Sequence, residues 1–121
     1  MRLERHVGGL SLARKVKYLT DAGWTQDGAR WRPRDPDAET FPLSRAVHHQ
    51  LTADLCAALA PAGWKVAGYS LRGYATLVDP KDTSTCSLPA ALRREARRRQ
   101  VPVGELTYSL FLWAMLQHGG D

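Results

Sequence analysis

Apolar residues recur along this chain with two different periods, and each change of period marks a change of element. Leu12, Val16 and Leu19 stand at helical spacing, which predicts a first helix from Leu12 to Ala22, with Ser11 as N-cap and Gly23 as the left-handed residue that ends it. Trp24 to Arg32 then reads as a tight hairpin, because Asp27-Gly28 is a strong type I′ turn signal. That register sets Trp24 directly across from Trp31 on the core side. Arg30 and Arg32 point to the opposite face of their strand, with Arg34 just beyond. Leu43, Val47, Leu51, Leu55 and Leu59 make a longer i+4 stripe, read as one helix or as two short ones broken near Leu51, and Pro61 makes its last turn irregular. Trp64 to Tyr69 and Tyr74 to Val78 read as strands joined around Leu71, Arg72 and Gly73. A third helix is predicted from Pro89 to Gln100, and a fourth from Pro102 to about Gln117. The fourth is apolar on most sides: Leu106, Leu110, Trp113 and Ala114 share one face, and Tyr108, Phe111, Leu112 and Met115 another. Such a helix is either central to a core or shared with a second subunit.

The elements fall into two similar sets. Sliding the chain by 40 places Ala13 on Ala53, Leu19 on Leu59, Ala22 on Ala62, Gly23 on Gly63 and Trp24 on Trp64. A shift of 44 then puts Asp35 and Pro36 on Asp79 and Pro80, and a shift of 45 puts Thr40, Leu43 and Ala46 on Thr85, Leu88 and Ala91. A longer second hairpin would produce those increments. The expected fold is α+β: two diverged helix plus β-hairpin repeats, about 11–46 and about 51–91, with two C-terminal helices over about 88–118. At 121 residues these belong to one domain, since two independent cores would each be too small.

Charge adds a second layer to this outline. The 17 Lys and Arg against 12 Asp and Glu leave a net +5, which permits a polyanionic partner. Five arginines (Arg93, Arg94, Arg97, Arg98 and Arg99) stand between Leu88 and Gln100, against Glu95 alone. Met1 to Gly9 alternates charge with apolar residues and lacks the apolar core of a signal peptide. Leu106 to Leu116 is too short to span a bilayer, so no membrane is expected, and a cytoplasmic location is the default. Cys56 and Cys86 lack CxxC spacing and read as small buried hydrophobes.

In the third helix Arg94, Arg97 and Arg98 lie close to one face while Leu88, Ala91, Leu92 and Ala96 mark the inward stripe. An exposed guanidinium surface of that kind suits phosphate oxygens. Ser11 to Arg32, a helix bearing Arg14, Lys15 and Lys17 that leads through Gly23-Trp24 into an arginine-bearing hairpin, resembles the recognition helix and wing of winged-helix proteins. That resemblance implies a helix in the major groove and a wing on the DNA backbone. Only ten residues precede Ser11, so buttressing helices would have to come from Leu43 to Gln50 and from the C-terminus. In the second copy Asp54, Leu55, Cys56 and Ala57 replace the basic face. Thr83 to Leu116 is similar to ribbon-helix-helix proteins, which implies base-reading positions at Thr83, Thr85 and Ser87. The equivalent stretch of the first repeat, Ala38 to Pro42, shows no evident ribbon.

Enzymatic patterns are missing from the sequence. Asp35, Asp37 and Glu39, and Asp79 with Asp82, are carboxylate pairs of the sort that hold metals or shuttle protons, but Asp-Pro in a turn is read as chain reversal. His48 and His49 diverge by about 100° on a helix and do not converge on one metal. The sequence therefore points to a non-catalytic protein with no metal or cofactor that binds nucleic acid, DNA first, through Arg93, Arg94, Arg97 and Arg98, extended by Arg14, Lys15, Lys17, Arg30 and Arg32. The alternative is a protein-binding regulator or inhibitor, or a homodimer, using Tyr108, Phe111, Leu112 and Trp113 as anchors.

Overall fold

The structure, a computed structural model, describes residues 11–70 and 72–119, and of residues 115 and 117–119 the backbone alone. The readings of Met1 to Gly9, of Leu71 and of the Met115 side chain lie outside the described residues. The chain runs through α1 (Leu12–Asp21), β1 (Thr25–Asp27), β2 (Arg30–Arg32), β3 (Phe41–Pro42), α2 (Leu43–Leu59), β4 (Lys65–Tyr69), β5 (Ala75–Val78), β6 (Thr85–Ser87), α3 (Leu88–Arg99) and α4 (Val103–Gly119). The fold is α+β. Two separate antiparallel sheets have the strand orders β1-β2-β3 and β4-β5-β6.

Local chemistry explains where the helices begin and end. Ser11 Oγ accepts the Arg14 backbone N–H at 3.2 Å, and Ser87 Oγ accepts that of Ala90 at 3.3 Å, so α1 and α3 both start on a serine cap. α2 is one 17-residue helix, not two, because no Gly or Pro interrupts it and Val47, Leu51, Leu55 and Leu59 all face the core. Pro61 tightens its end into a 3-10 turn, Ala60–Ala62. Gly23 and Gly63 follow α1 and this turn with φ of 97° and 100°, where a side chain would be strained and would also strike Arg34 or Pro80.

The first hairpin turns one residue later than Asp27-Gly28 implies. Gly28, with φ 63°, and Ala29 form the turn, so Asp27 pairs with Arg30 and Gln26 with Trp31. Trp24 is therefore not across from Trp31, although both indoles are buried. Each hairpin also gains a third strand that the sequence reading missed in the first unit: Phe41 pairs with Trp31. In the second, β6 pairs with β5 through Thr85, Cys86 and Ser87. Both third strands lead straight into a helix.

One hydrogen-bond pattern occurs at both Trp24 and Trp64. The Trp24 indole N–H donates to Gln50 Oε1 at 2.8 Å, and the Trp64 indole N–H donates to Glu95 Oε1 at 3.0 Å. Gln50 and Glu95 each stand seven residues beyond the first residue of the next helix. Each then bonds one turn on, Gln50 donating to Asp54 at 2.9 Å and Glu95 accepting from Arg99 at 2.7 Å. Asp54 also accepts the Tyr18 hydroxyl, and burial, followed by Asp54, raises the pKa of that phenol. These bonds satisfy polar groups that would be costly to bury alone.

α4 joins the pieces by packing against α1, α2 and α3. Its inward side is Leu106, Thr107, Leu110, Phe111 and Ala114, and its outward side carries Tyr108, Leu112, Trp113 and Leu116. Trp113 and Phe111 thus exchange the sides that the sequence pattern gave them, because on a helix apolar all round the packing of three neighbours decides what faces in. Among the described residues no helix is long and apolar enough to cross a membrane. Cys56 is buried, with its thiol pushed up to about 11 by burial, while Cys86 is only half-buried; both are free.

Candidate functional site

Six charged side chains gather where the loop after β5 meets the outer face of α3. Asp79 follows β5 and caps its own loop: its backbone N–H donates to Ser84 O at 2.8 Å, and its Oδ1 accepts the Lys81 N–H at 2.8 Å. Asp82 repeats the device, accepting the Ser84 N–H at 2.9 Å and the Ser84 hydroxyl at 2.6 Å. Such side-chain turns hold a short loop in one shape. The loop places Lys81 and Asp82 opposite the arginines of α3.

Asp79 is fully buried, and its charge is matched by two guanidiniums one helical turn apart. Arg98 donates to its Oδ2 at 2.7 Å and Arg94 at 3.0 Å. Arg94 reaches Ser84 Oγ as well, at 3.0 Å. The Arg98 bond first, then the Lys81 N–H and Arg94, hold the Asp79 carboxyl well below the usual carboxylate range, against the opposing effect of burial. Arg98 also lies over the Trp64 ring, 5.4 Å from its centroid. That contact ties the cationic face to the hydrophobic core.

Around this ion pair opens a groove of about 510 Å³ lined by Asp79, Lys81, Asp82, Arg94, Arg97 and Arg98. Three of the five arginines of α3 are engaged within the chain: Arg94 and Arg98 with Asp79, and Arg99 with Glu95. Arg94 and Arg98 are therefore not the free surface charges that the sequence reading expects, their side chains being 37% and 30% exposed. Arg93 and Arg97 are exposed and form no ion pair among the described residues. Arg97 lines the groove and Arg93 does not.

The remaining predicted cations stand elsewhere. Arg14 is exposed on α1, Lys15 is half-buried, and Lys17 pairs with Asp21 at 2.7 Å. Arg30 donates to Thr40 Oγ1 and O at 2.8 and 2.7 Å, while Arg32 reaches Ala38 O at 3.1 Å and Asp27 at 3.3 Å. Those two arginines brace the loop between β2 and β3. Of the candidate anchors on α4, Tyr108, Leu112 and Trp113 are exposed and Phe111 is buried in the core. Thr83 takes a left-handed turn conformation, Thr85 lies in β6 and Ser87 caps α3.

A second exposed feature is the tip of the β4–β5 hairpin. Gly73, with φ 84°, packs so closely on α2 that a Cβ there would lie 2.6 Å from His49 Nε2. Tyr74 meets His48 edge-on with ring centroids 5.7 Å apart, and His49 stacks at 4.6 Å on Phe41. Burial first, then the His48 and Arg45 charges, lower the His49 pKa. Neutral His49 therefore contributes fully above the unfolded histidine pKa of about 6.5, and its contribution is lost as pH falls from there through the lowered native value. His49→Gln should flatten the loss of urea resistance between pH 7.5 and pH 5; an unchanged loss would remove His49 from the account.

Among the described residues no group of three or more His, Cys, Asp or Glu is placed to hold a metal ion. Compared with protein-family models, curated proteins and solved structures, the chain matches none at a significant level.

Proposed function

We propose that this protein is a non-catalytic nucleic-acid-binding protein whose phosphate-contacting site is the groove between α3 and the loop after β5. The observation that carries this reading is the make-up of the groove: four cations, Lys81, Arg94, Arg97 and Arg98, against the two carboxylates Asp79 and Asp82. Small-molecule pockets are mostly apolar with a few polar groups, whereas this groove is lined by charged residues alone. Phosphate backbones suit such a lining. Asp79 takes one unit of charge from two guanidiniums and in return fixes both, so their remaining donors are held ready without the rotamer entropy a free arginine would lose. Arg97 and Lys81 supply further positive charge beside them.

Lys81→Gln with Arg97→Gln removes two groove cations that take no part in the Asp79 ion pair, and folding should be preserved. Binding to every duplex sequence should weaken, and the salt dependence should become shallower by about 0.9 log unit per lost phosphate contact. An unchanged slope in the variant, or no DNA affinity of the parent at low salt, would end this reading. A second reading, a protein-binding regulator, rests on exposed Tyr108, Leu112 and Trp113 of α4. An interface centred on those rings would be far less sensitive to salt than a phosphate contact.

A further inference from the structure

We propose that the tip of the β4–β5 hairpin is a second site, one that takes unpaired nucleobases, with Tyr69 and Tyr74 as the stacking rings and Arg72 as the cation for the adjoining backbone. This rests on the nucleic-acid reading above and deepens it by naming single-stranded nucleic acid as a ligand class. The α3 groove has no aromatic residue in its lining and is indifferent to whether bases are paired. The hairpin has what the groove lacks.

Inward positions of β5 are closed to solvent, Ala75 and Leu77 at 4% and 0%, whereas Tyr69 and Tyr74 beside them stay 55% and 54% exposed. Exposed rings on a rigid ribbon serve as stacking surfaces because every base offers a π-face. Hydrogen bonds tie the described tip residues together: Ser70 and Tyr74 continue the ladder with a 2.8 Å bond, the Gly73 N–H returns to Ser70 O at 2.9 Å, and Tyr74 N–H donates to Ser70 Oγ at 3.1 Å. His48 supports the Tyr74 ring from α2. Tyr69 pairs with Ala75, and successive residues alternate faces, so the two rings flank the tip and each would receive its own base.

Charge selects the partner. From Lys65 to Val78 the chain contains Lys65 and Arg72 and no carboxylate. Arg45 on α2 adds a further exposed cation near His49, against which Gly73 packs. An anionic strand meets no opposing acid on this hairpin. A duplex, with its bases stacked inside, could use these cations but not the rings.

The test measures low-salt binding by fluorescence anisotropy to a labelled oligo-dT of about 20 nucleotides, longer than one such site, and to a duplex of equal length. The parent is compared with Tyr69→Ala/Tyr74→Ala, with Tyr69→Phe/Tyr74→Phe, and with the Lys81→Gln/Arg97→Gln variant. Loss of the rings should weaken oligo-dT binding about tenfold per ring and leave duplex affinity and salt slope unchanged, while the Phe variant should bind oligo-dT like the parent. Circular dichroism confirms that each variant is folded. Equal losses on oligo-dT and duplex, or oligo-dT affinity that survives removal of both rings, would overturn the proposal and leave the rings to a protein contact. A parent that binds duplex but not oligo-dT would overturn this inference and spare the groove. A parent that binds neither would remove both.

Discussion

Trp64→Ala should cost about 3–5 kcal/mol of unfolding free energy, read from the urea midpoint at constant slope. Trp64 is 2% exposed, so truncation opens a cavity between the second sheet and α3. It also removes the indole N–H from Glu95, which is itself 7% exposed, and the ring from beneath Arg98. Arg99 continues to hold Glu95 Oε2, so the carboxylate keeps one charged partner. Trp64→Phe separates the two effects by restoring much of the apolar volume without the donor, and should cost roughly 2 kcal/mol, the value of a hydrogen bond to a charged group. Trp113→Ala is the control: that residue is 41% exposed, and its loss should cost well under half of what Trp64→Ala costs. Comparable losses for Trp64→Ala and Trp113→Ala would contradict the described core.

What could be read from the sequence follows from which forces are local. The helix start at Ser11 and the left-handed Gly23 after α1 depend on a few neighbouring residues and were legible, whereas Ser87, the cap of α3, was read as a strand position facing bases. The hairpin register was not, because Asp27-Gly28 and Gly28-Ala29 both accommodate a positive φ at Gly28 and the choice depends on which indole contacts the core can close. The third strands were hard to see for a different reason. Phe41–Pro42 is two residues long and has no alternating pattern of its own; it is defined by Trp31 and Arg30 across the ladder.

The site shows the same division. Five arginines in α3 were plain, but the partner that immobilises Arg94 and Arg98 was read as a chain reversal at Asp79-Pro80. Part of the signal was in the sequence. Asp35, which a shift of 44 sets on Asp79, is exposed, and a shift of 45 sets His49 and Ala53 on Arg94 and Arg98. The arginine pair at helical spacing was thus the half of this ion pair that the sequence carries, while the burial of Asp79 depends on the packing around it.

That ion pair makes Arg94→Gln with Arg98→Gln the sharpest contrast to the groove variant. Both changes replace a cation by a shorter neutral group whose amide stops two bonds before the Nη atoms that bond Asp79, and on an exposed surface either would be nearly silent. Here they leave Asp79 buried with only the Lys81 N–H to satisfy its charge, and removing the partners of a buried ion is severely destabilising. The melting temperature should fall by on the order of 10 °C, whereas Lys81→Gln/Arg97→Gln should melt like the parent. The pH dependence gives an independent sign. In the parent the Asp79 pKa is depressed, so its contribution is fully present above the unfolded aspartate value of about 3.9 and is lost as pH falls through the native value. In the double variant the arginines that depress the pKa are gone and burial, which raises it, prevails. Asp79 then becomes a penalty that grows as pH rises above about 4, and the optimum of the variant should shift to acid relative to the parent. Adding Asp79→Asn to the double variant removes the unpaired charge and should recover part of the lost melting temperature at pH 7. A double variant with the parent's melting temperature and pH profile would mean that Asp79 does not hold the cationic face of α3 in place.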